Sequence, residues 1–201
     1  TEGISHITQE DVSYAEQLGY RIKHLGISRK TDKGIELRVH PTLIPYRRLI
    51  ANVDGVMNAV LVNGDAVGPT LYYGAGAGAE PTASAVVADL VDIAREISAG
   101  QQYRVPALGF AGDYIAARAV VPMEQVETAW YLRMEAEDKP GVMSRVTSIL
   151  SEQGISIEGL IQKAPGAGET RVPVIVLTNR AEQGRVDTAV SAIEGQIGRA
   201  H

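Results

Sequence analysis

The stretch from Gly100 to Glu127 constrains the fold of this chain more than any other. Hydrophobic periodicity fades there, and Pro106, Gly109, Gly112 and Pro122 interrupt it. Proline removes a backbone donor and glycine leaves the backbone unrestrained, so neither a long helix nor a central strand can run through. A length of 201 residues allows one large domain or two small ones. The break favours two: residues 1–99, a linker over 100–127, and residues 128–201.

The second piece has a regular order. A strand over Ala129–Met134 leads into the turn Glu137-Asp138-Lys139-Pro140-Gly141. A helix over Val142–Glu152 turns Val142, Val146, Ile149 and Leu150 inward, and Gly154 ends it. Ile155–Ile161 alternates as a strand, Pro165-Gly166-Ala167-Gly168 is a loop, and Val172–Leu177 is a third strand. Asn179 precedes a last helix over Ala181–Ile193, and residues 194–201 make a poor final strand. The expected class is α+β and ferredoxin-like (βαββαβ), an antiparallel sheet with helices on one face.

The first piece reads as a mixed α/β region. Thr8 with Asp11 three residues on is a capping signal for a helix carrying Val12, Ala15 and Leu18 on one face, which Gly19 stops. Arg21–Ile27 and Ile35–His40 form a hairpin about the polar turn Arg29–Gly34. The prolines of His40-Pro41-Thr42-Leu43-Ile44-Pro45 keep that string out of helices and central strands. Strands over Val56–Val62 and Val67–Tyr73 flank the turn Asn63-Gly64-Asp65. After Gly74-Ala75-Gly76-Ala77-Gly78, a helix over Thr82–Ile97 gathers Val86, Leu90, Val91, Ile93 and Ile97 on one apolar side.

Composition narrows the function. A net charge of -5 argues against a nucleic-acid partner, and Trp130 and Tyr131 alone make a poor stacking platform for RNA. No apolar run approaches the roughly 20 residues of a membrane span, and no leader peptide is visible. Cysteine is absent, which removes disulfides and thiolate metal sites and suits a cytoplasmic location. His6, His24, His40 and His201 lack ligand spacing, so no metal site is expected. The opening Thr1-Glu2-Gly3-Ile4 reads as the interior of a longer protein.

Two constellations carry chemistry. Gly74-x-Gly76-x-x-Ala79 matches the dinucleotide fingerprint with alanine in third place, between a strand and a helix. It can let a ligand approach the backbone, or be a tight strand-to-helix crossover. The other is Asp138-Lys139-Pro140-Gly141-Val142-Met143 with the strand Ile155–Gln162. Pro140 near the helix start costs no hydrogen bond, the helix N-terminus can receive a carboxylate, and Asp138 can face an ammonium group. Those features suit a free α-amino acid; alternatively Asp138 serves only as a cap.

Tyr73-Gly74-Ala75-Gly76-Ala77-Gly78-Ala79-Glu80-Pro81-Thr82-Ala83-Ser84-Ala85-Val86 resembles a signature of homoserine dehydrogenases. So do Arg38–Pro45, Asn58-Ala59-Val60, and Glu2-Gly3-Ile4 followed by Asp11 and Leu18-Gly19-Tyr20. The resemblance implies an NADP- or NAD-dependent enzyme that interconverts homoserine and aspartate 4-semialdehyde, with Gly78, Gly76 and Thr82 at the nicotinamide end of the cofactor. The family's catalytic lysine and acidic substrate stretch would precede Thr1, so no catalytic residue is named and the chain by itself is expected to be inactive. Lys23, Lys30 and Lys33 are read as solvated.

Residues 127–190 resemble ACT domains, the regulatory modules of amino-acid metabolism. That resemblance implies an effector lined by Asp138, Gly141, Met143, Glu158 and Gln162, with threonine the expected ligand, and a homo-oligomer, dimer or tetramer. The alternative reading is a free-standing amino-acid-sensing protein.

Overall fold

The computed structural model describes residues 1–99, 109–110, 112–162 and 170–197. The loop expected at Pro165–Gly168 and most of the stretch before Gly109 lie outside the described residues. The chain divides into two compact units, one drawn from residues 1–26 and 39–117, the other from 27–38 and 118–201.

In the first unit, α1 (Gln9–Gln17) starts at Thr8, as the capping signal requires. The Thr8 hydroxyl accepts the Asp11 N–H at 3.3 Å, and the Asp11 carboxylate accepts the Thr8 N–H at 2.8 Å. Both donors are orphans of the first turn, so each bond removes an unsatisfied group. Strands β1 (Tyr20–Thr31) and β2 (Gly34–Pro45) pair about a two-residue turn at Asp32–Lys33. They run further than the alternation suggests, and β2 continues through both prolines. A two-stranded sheet has only edges, so a missing N–H can point away from the partner.

Strands β3 (Met57–Gly64) and β4 (Gly68–Ala75) pair antiparallel from Met57 opposite Ala75 to Gly64 opposite Gly68. The chain therefore reverses at residues 65–67 and not at Asn63–Asp65; Asn63 sits in the ladder opposite Pro69. Gly68, at φ +74°, takes the left-handed conformation the return needs. Helix α2 (Ala79–Ala99) begins earlier than Thr82, with Pro81 tolerated in its first turn. None of its described residues is buried, and Leu90 and Ile93 on its apolar side are 60% and 50% exposed.

In the second unit, short strands β5 (Glu127–Thr128) and β9 (Ala181–Glu182) pair with each other. The main sheet is β6 (Tyr131–Glu137), β7 (Ile157–Gln162) and β8 (Arg171–Thr178) in the order β6-β8-β7, antiparallel throughout. With α3 (Val142–Glu152) and α4 (Gln183–Ile197) it gives β-α-β-β-α, the expected ferredoxin-like arrangement. The final strand differs: Glu194–Ile197 prolong α4, which Ile193 anchors by burial, and residues 198–201 lie outside the described residues.

Register explains the core. Leu132, Met134 and Ala136 on β6 lie opposite Val176, Val174 and Val172 on β8. All six are buried with Val146 and Leu150 of α3 and Val186, Ala189 and Ile193 of α4. Each valine, leucine, isoleucine or methionine among them contributes about 1.5–3 kcal/mol through burial. On β7, Ile157 opposes Thr178 whereas Gly159 opposes Leu177, so Glu158 is an extra residue. This bulge shifts the alternation and lets Ile157 join the core.

Candidate functional site

The turn from β6 into α3 is held by its own backbone: the Asp138 N–H donates to Thr170 O at 3.2 Å and the Lys139 N–H to Glu137 O at 2.9 Å. Gly141, the residue before α3, adopts φ +91° and ψ -17°, and no side chain caps the helix. Asp138 is therefore not a cap. A Cβ placed on Gly141 would meet nothing within 4 Å, so the position just before α3 is open. An uncapped helix start presents orphan N–H groups and a partial positive charge to an approaching carboxylate.

Gln162, at the end of β7, donates from Nε2 to Asp138 Oδ1 at 3.4 Å. Lys139 Nζ lies 2.8 Å from Glu137 Oε2, and that hydrogen bond, more than any other influence, holds the Glu137 carboxyl below the usual range. The two neighbours thus neutralise each other, while Asp138 keeps a neutral amide for partner. A carboxylate and an amide stand beside a helix start without a side-chain cap, where Lys139 O takes the Val142 N–H at 3.3 Å and the next two N–H groups have no helical acceptor; together they complement a zwitterion.

The structure brings Asp138, Gly141 and Gln162 to one place. Met143 is half-buried against the core of the unit. Glu158 is exposed, but it lies four residues back along β7, about 13 Å at the rise of a strand, and within the bulge.

The glycine loop is a separate feature of the first unit. The Gly76 N–H donates to Val56 O at 3.4 Å, and a Cβ there would overlap the Asn58 side chain. Gly78 adopts φ +117°, and its carbonyl accepts the first helical bond of α2, from the Thr82 N–H at 3.2 Å. Thr82 itself is exposed. Close packing fixes Gly76 and backbone conformation fixes Gly78. The strand before the loop belongs to an antiparallel hairpin and not to a βαβ unit, which sets the loop apart from a dinucleotide fingerprint in its usual context.

One lysine departs from the solvated reading. Lys23 Nζ donates to Val53 O at 2.6 Å and to Asp54 Oδ1 at 2.7 Å, with its side chain 21% exposed. Arg21 Nη1 reaches the same carboxylate at 2.9 Å. Hydrogen bonding from Lys23, then its charge and that of Arg21, holds the Asp54 carboxyl low. Alternate basic residues on β1 were the available signal; their acidic partner lies some thirty residues away. His24 and His40 each engage a backbone carbonyl, of Glu2 and Pro41 respectively.

Comparison with known proteins finds two matched regions. The family described as homoserine dehydrogenase matches residues 1–91, and the ACT domain family matches residues 130–195. The chain joins a homoserine dehydrogenase segment to an ACT domain. A homoserine dehydrogenase of Pseudomonas aeruginosa is 57% identical over 198 residues, 98% of this chain and 46% of that protein. One from Neisseria gonorrhoeae is 53% identical over 193 residues, 96% of this chain and 44% of the relative. The crystal structure of a homoserine dehydrogenase from Thiobacillus denitrificans superposes with a TM-score of 0.90 at 56% identity, covering 99% of this chain and 45% of that one. The chain thus spans about half the length of the curated relatives it matches, and its ACT domain carries the Asp138–Gln162 constellation. Among the described residues, no helix is long and apolar enough to cross a membrane.

Proposed function

We propose that the chain supplies the later part of the catalytic region and the regulatory domain of an NADP- or NAD-dependent homoserine dehydrogenase. The intact enzyme interconverts L-homoserine and L-aspartate 4-semialdehyde in the cytoplasm, as a dimer or tetramer. Its nicotinamide cofactor supplies the hydride. This chain contributes the loop of Gly76 and Gly78, with Thr82 beside it, against the cofactor's nicotinamide end. The chemistry of the loop suits that end: Glu80 stands in the first turn of α2, where its charge disfavours phosphate but not a neutral carboxamide. The catalytic lysine and the main nucleotide-binding fold belong to the remainder of such an enzyme, so this chain alone turns over no homoserine.

The ACT domain binds a free amino acid, threonine by preference, between Asp138, Gly141 and Gln162, with Met143 and Glu158 completing the lining when domains pair. One observation carries this reading: α3 starts without a side-chain cap directly beside a carboxylate whose partner is a neutral amide. The test is homoserine-dependent reduction of NADP and NAD by the full-length enzyme, with and without threonine, beside the same assay on this chain. Activity in the full-length enzyme, lowered by threonine, is expected; substantial turnover by the isolated chain contradicts the division of labour.

A further inference from the structure

The β1–β2 hairpin is divided between the two units. Its base, residues 20–26 and 39–45, groups with the first unit, and its tip, residues 27–38, with the second. Each end is anchored within its own unit.

At the tip, the Ile35 N–H donates to Ala119 O at 2.9 Å and the Val121 N–H to Ile35 O at 2.9 Å, which makes a parallel bridge between Ile35 and Val120. Gly34, at φ +137°, packs so tightly on the Ala119 carbonyl that a Cβ would overlap it. Glu36 is 4% exposed and accepts two bonds from Arg29, from Nε at 2.9 Å and Nη2 at 2.6 Å. Lys33 Nζ stands 3.8 Å from Glu182 on β9. At the base, Lys23 and Arg21 share Asp54, the Glu2 N–H donates to Val39 O at 2.8 Å, and the Tyr46 N–H to Gly19 O at 3.0 Å.

The segment that grips the tip is continuous in sequence with the effector site. From Val120 and Val121 the chain runs through the buried Val126, β5 and β6 to Asp138. Gly26 is the last residue of β1 in the first unit, and a Cβ there would touch only Val39 Cγ2, at 4.0 Å. Glycine inside a strand weakens it, since it costs more entropy to order and has no side chain to pack.

We propose that the hairpin carries the state of the ACT domain to the homoserine dehydrogenase segment, with Gly26 beside Val39 as its flexure. The proposal rests on the regulatory reading above. An amino acid held between Asp138 and α3 orders the end of β6; the strand passes that order to Val120–Val121 and Ile35; the paired strands deliver it to the Lys23–Asp54 node. Coupling of this kind needs two arrangements of the hairpin whose balance the ligand shifts.

Two variants of the full-length enzyme test it from opposite sides. Glu36→Gln loosens the tip, and Gly26→Val stiffens the flexure by placing a β-branched residue beside Val39. Calorimetry with threonine should give affinities within about twofold of the parent for both, and basal turnover should be unchanged. Inhibition at saturating threonine should weaken by about fivefold or more in Glu36→Gln, within the range of ordinary coupling energies. It should be retained or strengthened in Gly26→Val. Equal inhibition of parent and Glu36→Gln overturns the proposal. If the parent binds no amino acid, the regulatory reading fails, and hydrogen exchange on this chain then decides the hairpin's part. Faster exchange at residues 21–25 and 39–43 in Glu36→Gln supports transmission, whereas change confined to residues 27–38 overturns it.

Discussion

Gln162 reaches across from the end of β7 to Asp138, donating Nε2 to Oδ1 at 3.4 Å. That bond ties the edge strand to the turn before α3. Asp138→Asn keeps the shape and removes the charge, so it should cost a charge-assisted hydrogen bond to an ammonium group, about 1.5–3 kcal/mol. Threonine binding should fall roughly tenfold to a hundredfold. Gln162→Ala removes a neutral contact and should weaken binding less, by about threefold to tenfold. Titration calorimetry reads both, with thermal unfolding as the control for folding.

Gly141 tests the local backbone. An added Cβ meets nothing within 4 Å, yet φ is +91°. The penalty for Gly141→Ala is therefore conformational, about 1–2 kcal/mol, and Gly141→Asn should recover part of it. Chemical denaturation separates the two variants.

Leu150 and Leu160 are the same residue in different surroundings, fully buried and 42% exposed respectively. Leu150→Ala should destabilise the second unit by about 2–5 kcal/mol, and Leu160→Ala by roughly 1 kcal/mol or less. Trp130 is the chain's single tryptophan, its Nε1 donating to Ala181 O at 3.2 Å. Its fluorescence reports on this unit alone.

Glu36 makes acid stability a test of the hairpin tip. Hydrogen bonding from Arg29 holds its carboxyl below the usual range, against the opposing effect of burial. The folded value lies below the unfolded one, about 4.3. The stabilisation is therefore complete above that pH and is lost as pH falls through the folded value. Acid unfolding of the parent should steepen below about pH 4.3, and Glu36→Gln should flatten that limb. Parallel curves for the two proteins would contradict it.

In the glycine loop, Gly74 and Gly76 provide an internal comparison. A methyl on Gly74 meets nothing within 4 Å, whereas one on Gly76 overlaps Asn58. Gly76→Ala should raise KM for the nicotinamide cofactor in the full-length enzyme, and Gly74→Ala should leave it near the parent value. Steady-state kinetics at saturating homoserine reads the difference.

Local rules predicted the elements that depend on local rules. The Thr8–Asp11 capping box and the α3 spacing of Val146, Ile149 and Leu150 are short-range patterns, and both stand in the structure. What needed long-range geometry was not legible. Lys23 looked solvated because its carboxylate, Asp54, is brought up by the fold. That Glu158 falls in a bulge of β7 shows only once the strand is paired with β8. The apolar side of α2 was correctly periodic, but periodicity names a face and not what covers it, and in this chain that face is exposed. The hairpin's division at Gly26 and Val39 left no trace in composition, since strands on either side share one pattern.

The central claim is that the ACT domain senses an amino acid through the α3 start. Titration calorimetry of this chain with threonine, methionine, isoleucine and lysine tests it most directly, with Asp138→Asn as the paired control. The account predicts a saturable heat with threonine that Asp138→Asn weakens at least about tenfold. No heat with any of the four, or equal binding by parent and Asp138→Asn, would contradict it.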